Sequence, residues 1–200
     1  MRVVVTREDL AARIAELGHE PVFCPLIRVE PLGDEPVDAS EYDWLVVTSA
    51  NGAGELARRG VTARRIAAIG PATADALRAG GLRVDLVARA HTQEGLRDEL
   101  PKGRHLLAAA EGARRDVLDA DFLPLYRTVE LHPEAPAADV ALLMSGSAAR
   151  ALAATGARMP VVAIGPQTAA EARRAGLEVA AVAARHDIDG LVEALRSVLG

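Results

Sequence analysis

The chain opens with a buried apolar run, an amphipathic stretch and a second apolar run. Residues 3–5 are three valines, as in a strand covered on both faces. Across 10–17, apolar residues recur at the spacing of one helical face, and Thr6 with Asp9 resembles a capping box before them. The second run covers 20–24. This order predicts a β-α-β unit and hence a parallel sheet.

Two later stretches alternate apolar and polar residues. They cover 27–32 and 126–131, and each lies beside a Pro-rich segment, of which the first, at 33–40, is predicted as a loop. We expect them to pair as a two-stranded antiparallel linker by which the chain leaves the first domain and returns to it. The predicted organisation is a discontinuous first domain at 1–26 and 134–200, a second domain at 38–122, and a linker ladder at 27–37 and 123–133.

An internal repeat supports two domains of one kind. Residues 69–74, Ile-Gly-Pro-Ala-Thr-Ala, reappear 95 residues later as Ile-Gly-Pro-Gln-Thr-Ala at 164–169. Each copy is predicted as strand, Ser-containing turn, helix, strand, Gly-Pro-x-Thr turn, helix, strand, helix. The predicted fold class is α/β, with two similar domains of parallel sheets flanked by helices, joined by the antiparallel linker. A duplicated scaffold without retained chemistry would show the same repeat.

The turns after the predicted strands are the candidate ligand sites. Ligands of open parallel sheets bind at the carboxyl ends of the strands, where helices begin and free N–H groups favour anions. Small and hydroxyl-bearing residues occupy these turns: Thr48, Ser49, Asn51, Thr73, Ser145, Gly146, Ser147, Gly165 and Thr168. For any one of them, helix capping is the simpler explanation. Their occurrence at matched ends of both copies gives carboxylate binding equal weight with capping.

Composition and charge exclude several classes of protein. A net charge of −5 argues against nucleic-acid binding, and no apolar run is long enough for a transmembrane helix, so we expect neither nucleic acid nor membrane as a partner. The single Cys24 allows no internal disulfide and fits a cytoplasmic location. The five histidines show no metal-ligand spacing. The G-x-G-x-x-A at 52–57 lacks the acidic residue of a dinucleotide site at the end of the next strand.

These features together resemble the uroporphyrinogen-III synthase family over nearly the whole chain. No single motif is diagnostic, but their order and spacing are specific. The matching segments are Val-Val-Val-Thr-Arg at 3–7, Pro-Leu-Ile at 25–27, residues 43–51, Tyr-Arg-Thr at 126–128, Ser-Gly-Ser at 145–147, and 162–169 with Gly-Leu at 176–177.

The resemblance implies a cyclising hydro-lyase of heme and siroheme biosynthesis. Such an enzyme closes hydroxymethylbilane to uroporphyrinogen III with inversion of ring D and loss of water. The family implies an active site in the cleft between two domains and no metal or organic cofactor. We also expect a monomer that has transient contact with the preceding pathway enzyme. The alternative is a non-catalytic two-domain sensor of small carboxylated ligands.

Within this interpretation, Tyr126 is the candidate general acid for the leaving hydroxyl, although a packing role at a hinge is equally compatible with the sequence. Arg7 joins the hydroxyl-bearing turns as a substrate-binding candidate. Relatives often carry Arg-Gly between 106 and 118, where this chain offers only Arg114 or Arg115 as a substitute. The short segment at 119–125 suggests a reduced or absent strand in the second domain.

Overall fold

The computed structural model describes residues 1–199, in thirteen strands and seven helices. In chain order they are β1 (Arg2–Val5), α1 (Glu8–Glu16), β2 (Glu20–Phe23), β3 (Ile27–Pro31), β4 (Val37–Ala39), β5 (Trp44–Val47), α2 (Ala50–Arg59), β6 (Val61–Ala63), β7 (Ile66–Ala68), α3 (Pro71–Ala79), β8 (Leu86–Val87), α4 (Gln93–Glu99), β9 (His105–Ala110), β10 (Asp121–Glu130), β11 (Val140–Leu143), α5 (Gly146–Ala154), β12 (Val161–Ala163), α6 (Pro166–Arg174), β13 (Val179–Val182) and α7 (Ile188–Leu199).

The chain divides into two compact units. Unit 1 comprises Met1–Arg28 and Val129–Gly200, and unit 2 comprises Val29–Thr128. Both contain the predicted order of strand, helix, strand, helix, strand, helix, from β5 to α4 in unit 2 and from β11 to α7 in unit 1. The prediction of an α/β fold with parallel sheets flanked by helices is confirmed.

Unit 1 has a five-stranded parallel sheet in the order β13-β12-β11-β1-β2. Side chains alternate between its faces, and both faces are covered. Val3 and Val5 pack with Leu10 and Ile14 of α1, whereas Val4 packs on the other face against α5. Burial on both faces explains why this strand is apolar without alternation.

Unit 2 has a six-stranded sheet in the order β3-β10-β9-β5-β7-β8, beside a small parallel sheet of β4 and β6. The pairs from β10 to β8 are parallel. Leu45 and Val47 pack on the face of the sheet that carries α2 and α3, and Val46 packs on the face that carries α4. Two hydrogen bonds flank β3: the N–H of Leu32 donates to Leu125 O, and the N–H of Leu131 donates to Leu26 O.

Three local predictions were wrong. The capping box at Thr6 does not form, because α1 begins after Arg7 and has no side-chain cap. The segment at 119–125 is not a reduced strand, since β10 starts within it and runs for ten residues. The loop expected at 33–40 contains β4, which pairs with β6. The described helices include none long and apolar enough to cross a membrane.

Candidate active site

The start of α2 carries the most chemically defined group of side chains. Ser49 is the N-cap residue, and its Oγ accepts a hydrogen bond of 3.0 Å from the N–H of Gly52. The same Oγ lies 2.8 Å from the phenolic oxygen of Tyr126. Two residues predicted separately, 77 positions apart in sequence, therefore form one hydroxyl pair within unit 2.

A β-bulge in β10 directs Tyr126 to this position. The register against β9 shifts between Pro124 and Tyr126, so Leu125 is the extra residue. Neighbouring residues of a regular strand point to opposite faces, yet Leu125 and Tyr126 belong to the same buried cluster. The bulge thus turns the Tyr126 ring onto the face that carries α2, where the residue is only 5% exposed.

The first helix of the repeat in unit 1, α5, starts in the same way. Ser145 is its N-cap residue, and its Oγ accepts a hydrogen bond of 3.1 Å from the N–H of Ala148. Its neighbour is a second hydroxyl, the Oγ of Ser147, at 3.1 Å. Gly146 leaves room for Glu171, since a Cβ at this position would lie 3.0 Å from Cγ of that side chain. The structure brings the three predicted residues 145–147 together, without an aromatic hydroxyl.

The second helices of the repeat, α3 and α6, begin with Gly-Pro and have no side-chain cap. Thr73 and Thr168 occupy the third helical position in each and are 4% and 6% exposed. Within residues 1–199, neither side chain makes a hydrogen bond. The first free amides of a helix and an unpartnered hydroxyl together suit an anion. Because each of these helices follows a parallel strand, its start lies at the carboxyl edge of its own sheet.

The other predicted binding residues differ in their surroundings. Asn51 is exposed at the second position of α2, and Thr48 is half-buried just before the cap. Arg7 is not free at the end of β1, because it forms an ion pair with Asp9 in the first turn of α1. An anion at this position would have to compete with that carboxylate.

Arg114 and Arg115 both have protein partners. Arg114 donates a hydrogen bond of 2.7 Å to Glu94, and this bond holds the pKa of the Glu94 carboxyl below its usual value. The guanidinium of Arg115 lies 3.9 Å from the centroid of the Phe122 ring and donates to the Glu111 carbonyl. These contacts give Arg114 and Arg115 structural roles in unit 2.

Two histidines that the sequence reasoning overlooked lie against the Gly-Pro turns. A Cβ added to Gly70 would be 3.1 Å from Cγ of His91, and one added to Gly165 would be 3.1 Å from Cδ2 of His186. The space above both glycines is therefore filled by an imidazole ring. The signal was present in the sequence, because the two histidines are 95 residues apart, as are the two glycines.

No predicted site residue lines either of two cavities found at the amino edges of the sheets. One, of about 410 Å³, lies beside Arg158 and Glu178, and the other, of about 180 Å³, lies beside Arg64 and Asp85. Both are open on the side of the sheet away from the helix starts, and they occupy matching places in the repeat. We ascribe them to the shape of the duplicated fold.

The described residues offer little to a metal or dinucleotide. Residues 1–199 contain no group of three or more His, Cys, Asp or Glu side chains arranged to hold a metal ion. Gly52 and Gly54 of the G-x-G-x-x-A sequence lie inside α2, not in the turn before it. The chemistry available at the helix starts is that of hydroxyl groups, backbone amides and the two imidazole rings.

The sequence matches a known protein family over most of its length. The family model for uroporphyrinogen-III synthase, HemD, matches residues 8–193. The chain belongs to the uroporphyrinogen-III synthase family. A curated protein of Archaeoglobus fulgidus, provisionally named a uroporphyrinogen-III synthase, is 28% identical over 227 aligned positions that cover 98% of this chain and 99% of the relative.

Solved structures of this family share the fold. A mutant uroporphyrinogen III synthase from the extremely thermophilic bacterium Thermus thermophilus aligns with a TM-score of 0.69 at 17% identity, covering 100% of this chain and 98% of that one. At that identity the likeness concerns the fold alone. The family membership rests on the sequence match, and it places the chain in tetrapyrrole biosynthesis.

Proposed function

We propose that this chain is a uroporphyrinogen-III synthase, a cyclising hydro-lyase that converts hydroxymethylbilane to uroporphyrinogen III and water. One observation supports this activity above the others. The Tyr126 hydroxyl lies 2.8 Å from Ser49 Oγ, at the start of α2, in a chain whose family match covers 8–193. A phenol held at the positive end of a helix can donate a proton and then carry the resulting charge.

The first step is loss of the substrate's terminal hydroxyl. The pyrrole nitrogen of ring A supplies the electron pair that expels the oxygen, and Tyr126 donates the proton that makes the leaving group water. Ser49 already accepts from the N–H of Gly52, so its own proton can be donated to the phenolate oxygen. The product of this step is an azafulvene, a strong carbon electrophile.

The following steps rearrange carbon–carbon bonds. The substituted α-carbon of ring D attacks the azafulvene carbon and gives a spiro intermediate. The bond from that α-carbon to the methylene of ring C then breaks and leaves a second azafulvene on ring C. The free α-carbon of ring D closes onto it and loses its proton, which the Tyr126 phenolate takes back. One water has left, ring D is inverted, and the enzyme has its original protonation state.

Positioning therefore accounts for most of the catalysis. The substrate carries eight carboxylates, whereas the protein has a net charge of −5, so long-range attraction cannot provide binding. We assign the carboxylates to the helix starts of α2, α3, α5 and α6. The proposed contacts are Thr48, Ser49, Asn51, Thr73, Ser145, Gly146, Ser147, Gly165 and Thr168, with Arg7 after exchange of its Asp9 partner.

The proposal includes the organisation of the chain. Two similar domains, at 1–26 with 134–200 and at 38–122, would be joined by an antiparallel ladder at 27–37 and 123–133. The hydrogen bonds Leu32 to Leu125 and Leu131 to Leu26 support this, because residue numbers rise along one strand as they fall along the other. We further propose a cytoplasmic monomer that needs no cofactor and receives its unstable substrate by transient contact with the preceding enzyme.

Isomer analysis tests the activity. Freshly prepared hydroxymethylbilane closes without an enzyme to the type I ring, in which ring D is not inverted. Incubation with this protein should give mostly the type III isomer, at a rate above the blank. A mixture dominated by type I at the blank rate would refute the enzyme and leave a binding module as the better description.

A further inference from the structure

We propose that His91 and His186 are a matched pair of substrate-binding residues, each of which donates an imidazole N–H to a carboxylate held at the start of α3 or α6. The inference rests on the proposed function and extends it, since these residues were not among the candidates from sequence. It follows from the packing of three residues in each copy of the repeat.

The first part of the geometry is the contact between ring and glycine. Gly70 and Gly165 are N-cap residues in an extended backbone that any residue adopts, so their backbone conformation does not require glycine. The ring contact favours glycine, because a Cβ would crowd the imidazole. A Cβ at Gly70 would lie 3.1–3.3 Å from His91 atoms, and one at Gly165 would lie 3.1–3.3 Å from His186 atoms. Glycine at both N-caps thus brings an imidazole against the first turn of the helix.

The second part is the turn that carries each histidine. A Cβ at Gly95 would lie 2.1 Å from the carbonyl oxygen of Ala90, and one at Gly190 would lie 2.2 Å from that of Arg185. Each histidine therefore follows a residue whose backbone packs closely on the next helix. The caps of those helices are Thr92, which accepts from Gly95, and Asp187, which accepts from Gly190. Both loops are held firmly, and so is the position of the ring they present.

The third part is the hydrogen-bonding capacity of the two imidazole rings. His91 and His186 are exposed, and within the described residues neither side chain has a hydrogen bond or an ion pair. Thr73 and Thr168, buried at the same helix starts, also make no side-chain hydrogen bond within the described residues. Each helix start therefore combines free amides, an unpartnered hydroxyl and an unpartnered imidazole. A carboxylate accepts several hydrogen bonds at once and fits such a set of donors.

The duplication is evidence that the histidines bind a ligand and do not merely fill space. Around the two histidines the loops differ, with Arg89-Ala90 before one and Ala184-Arg185 before the other. The retained features are the N-cap glycine, the histidine and the glycine four residues after it. An apolar residue would fill the space above the glycine equally well, so an exposed imidazole in both copies indicates a polar contact.

The test replaces each histidine by leucine, which keeps the bulk and removes the donor, and by glutamine, which keeps an N–H donor. With hydroxymethylbilane, we expect KM to rise about tenfold in His91→Leu and in His186→Leu, with kcat within twofold, because a hydrogen bond to a charged group is lost on binding. Glutamine should recover most of the loss. A KM unchanged in the leucine variants, or raised equally by leucine and glutamine, would overturn the proposal.

Two further measurements keep the outcome interpretable. His19→Leu is the control, since His19 lies just before β2 (Glu20–Phe23), at the amino edge of the unit 1 sheet, and its KM should not change. Binding of uroporphyrin III, a stable octacarboxylate, is followed by fluorescence anisotropy and needs no turnover. A wild-type protein that made only type I product would refute the proposed function, while porphyrin affinity in the four variants would still decide whether the histidines bind carboxylates.

Discussion

The two copies of the repeat share the start of their first helix and differ in the side chain that approaches it. Ser49 and Ser145 cap α2 and α5 with equivalent hydrogen bonds of 3.0 and 3.1 Å. Ser49 meets the hydroxyl of Tyr126, whereas Ser145 meets only Ser147. Each unit therefore has a serine-capped helix start, and within residues 1–199 only the start in unit 2 contacts a phenol. Under the proposed function, the comparison separates carboxylate binding, which is proposed for both copies, from proton transfer, which is proposed for unit 2.

The matching strands β10 and β2 of the two sheets explain the difference. Residues 122–127 read Phe-Leu-Pro-Leu-Tyr-Arg, and residues 23–28 read Phe-Cys-Pro-Leu-Ile-Arg. The first segment belongs to β10 beside β9, and the second begins at the end of β2 beside β1, in the matching place of the other sheet. Where unit 2 has Tyr126, unit 1 has Ile27, which packs against an apolar cluster. Under the proposed function, this difference of one residue separates the copy that carries the proton donor from the copy that does not.

The largest expected effect is that of Tyr126→Phe. It removes the proton donor and keeps the ring, so kcat should fall about a hundredfold while KM stays nearly constant. Steady-state kinetics of type III formation measure it. Tyr42→Phe is the control, because Tyr42 is the other tyrosine and donates to Asp121 away from the helix starts. Wild-type turnover in Tyr126→Phe would show that the tyrosine only packs.

Next in size is the effect of Gly95→Ala and its counterpart Gly190→Ala. Each new methyl would overlap a carbonyl oxygen, and we expect a loss of about 2 kcal/mol in the free energy of unfolding. Urea denaturation measures it. Gly54→Ala is the matched control: nothing lies within 4 Å of its added Cβ, and it should stabilise α2 by about 0.8 kcal/mol. Equal stability of Gly95→Ala and wild type would mean that the loop before α4 is not held as described.

The two capping serines test the same difference between the two units. Ser49→Ala and Ser145→Ala each remove an N-cap, which should reduce the free energy of unfolding by about 1 kcal/mol in both variants. Their activities should differ, since only Ser49 contacts Tyr126. We expect kcat to fall clearly in Ser49→Ala and to change less than twofold in Ser145→Ala. Equal losses of kcat would contradict the assignment of proton transfer to unit 2.

The smallest expected effect is that of Arg114→Gln. Arg114 is occupied by Glu94, so KM for hydroxymethylbilane should change less than about twofold, as expected for an exposed ion pair. The pKa of Glu94, lowered by this bond, should return toward its ordinary value, which carboxyl NMR can follow. Because the Glu94 pKa is lower in the folded protein, this contact stabilises the fold fully above the unfolded pKa and is lost as the pH falls through the folded pKa. The free energy of unfolding of the variant should therefore match wild type most closely in acid. A tenfold rise in KM would indicate that Arg114 binds the substrate.

The fold was largely predictable because its signals are local and repeated. Valine runs predict doubly covered strands, and Ile-Gly-Pro-x-Thr-Ala occurs twice. The bulge at Leu125 was not predictable, since a bulge depends on the register with β9 and not on its own sequence. The cap of α1 was not predictable either. The sequence suggested Thr6, but the N-cap residue is Arg7, because a helix can begin without a hydroxyl cap.

The candidate site was predictable as a set of turns, but not as a set of contacts. The sequence places Ser49 in the turn after one strand and Tyr126 in another strand, and only the sheet order β10-β9-β5 brings them within reach. His91 and His186 were overlooked because single histidines were judged by metal spacing, although the repeat relates them directly. A repeat is best compared position by position, including residues that form no motif.

The contact between Ser49 and Tyr126 is tested most directly by kcat of the double variant Ser49→Ala/Tyr126→Phe. If Ser49 assists only through the Tyr126 hydroxyl, the double variant should have the same kcat as Tyr126→Phe alone, because effects within one unit are not additive. Independent losses that multiply in the double variant would contradict the account.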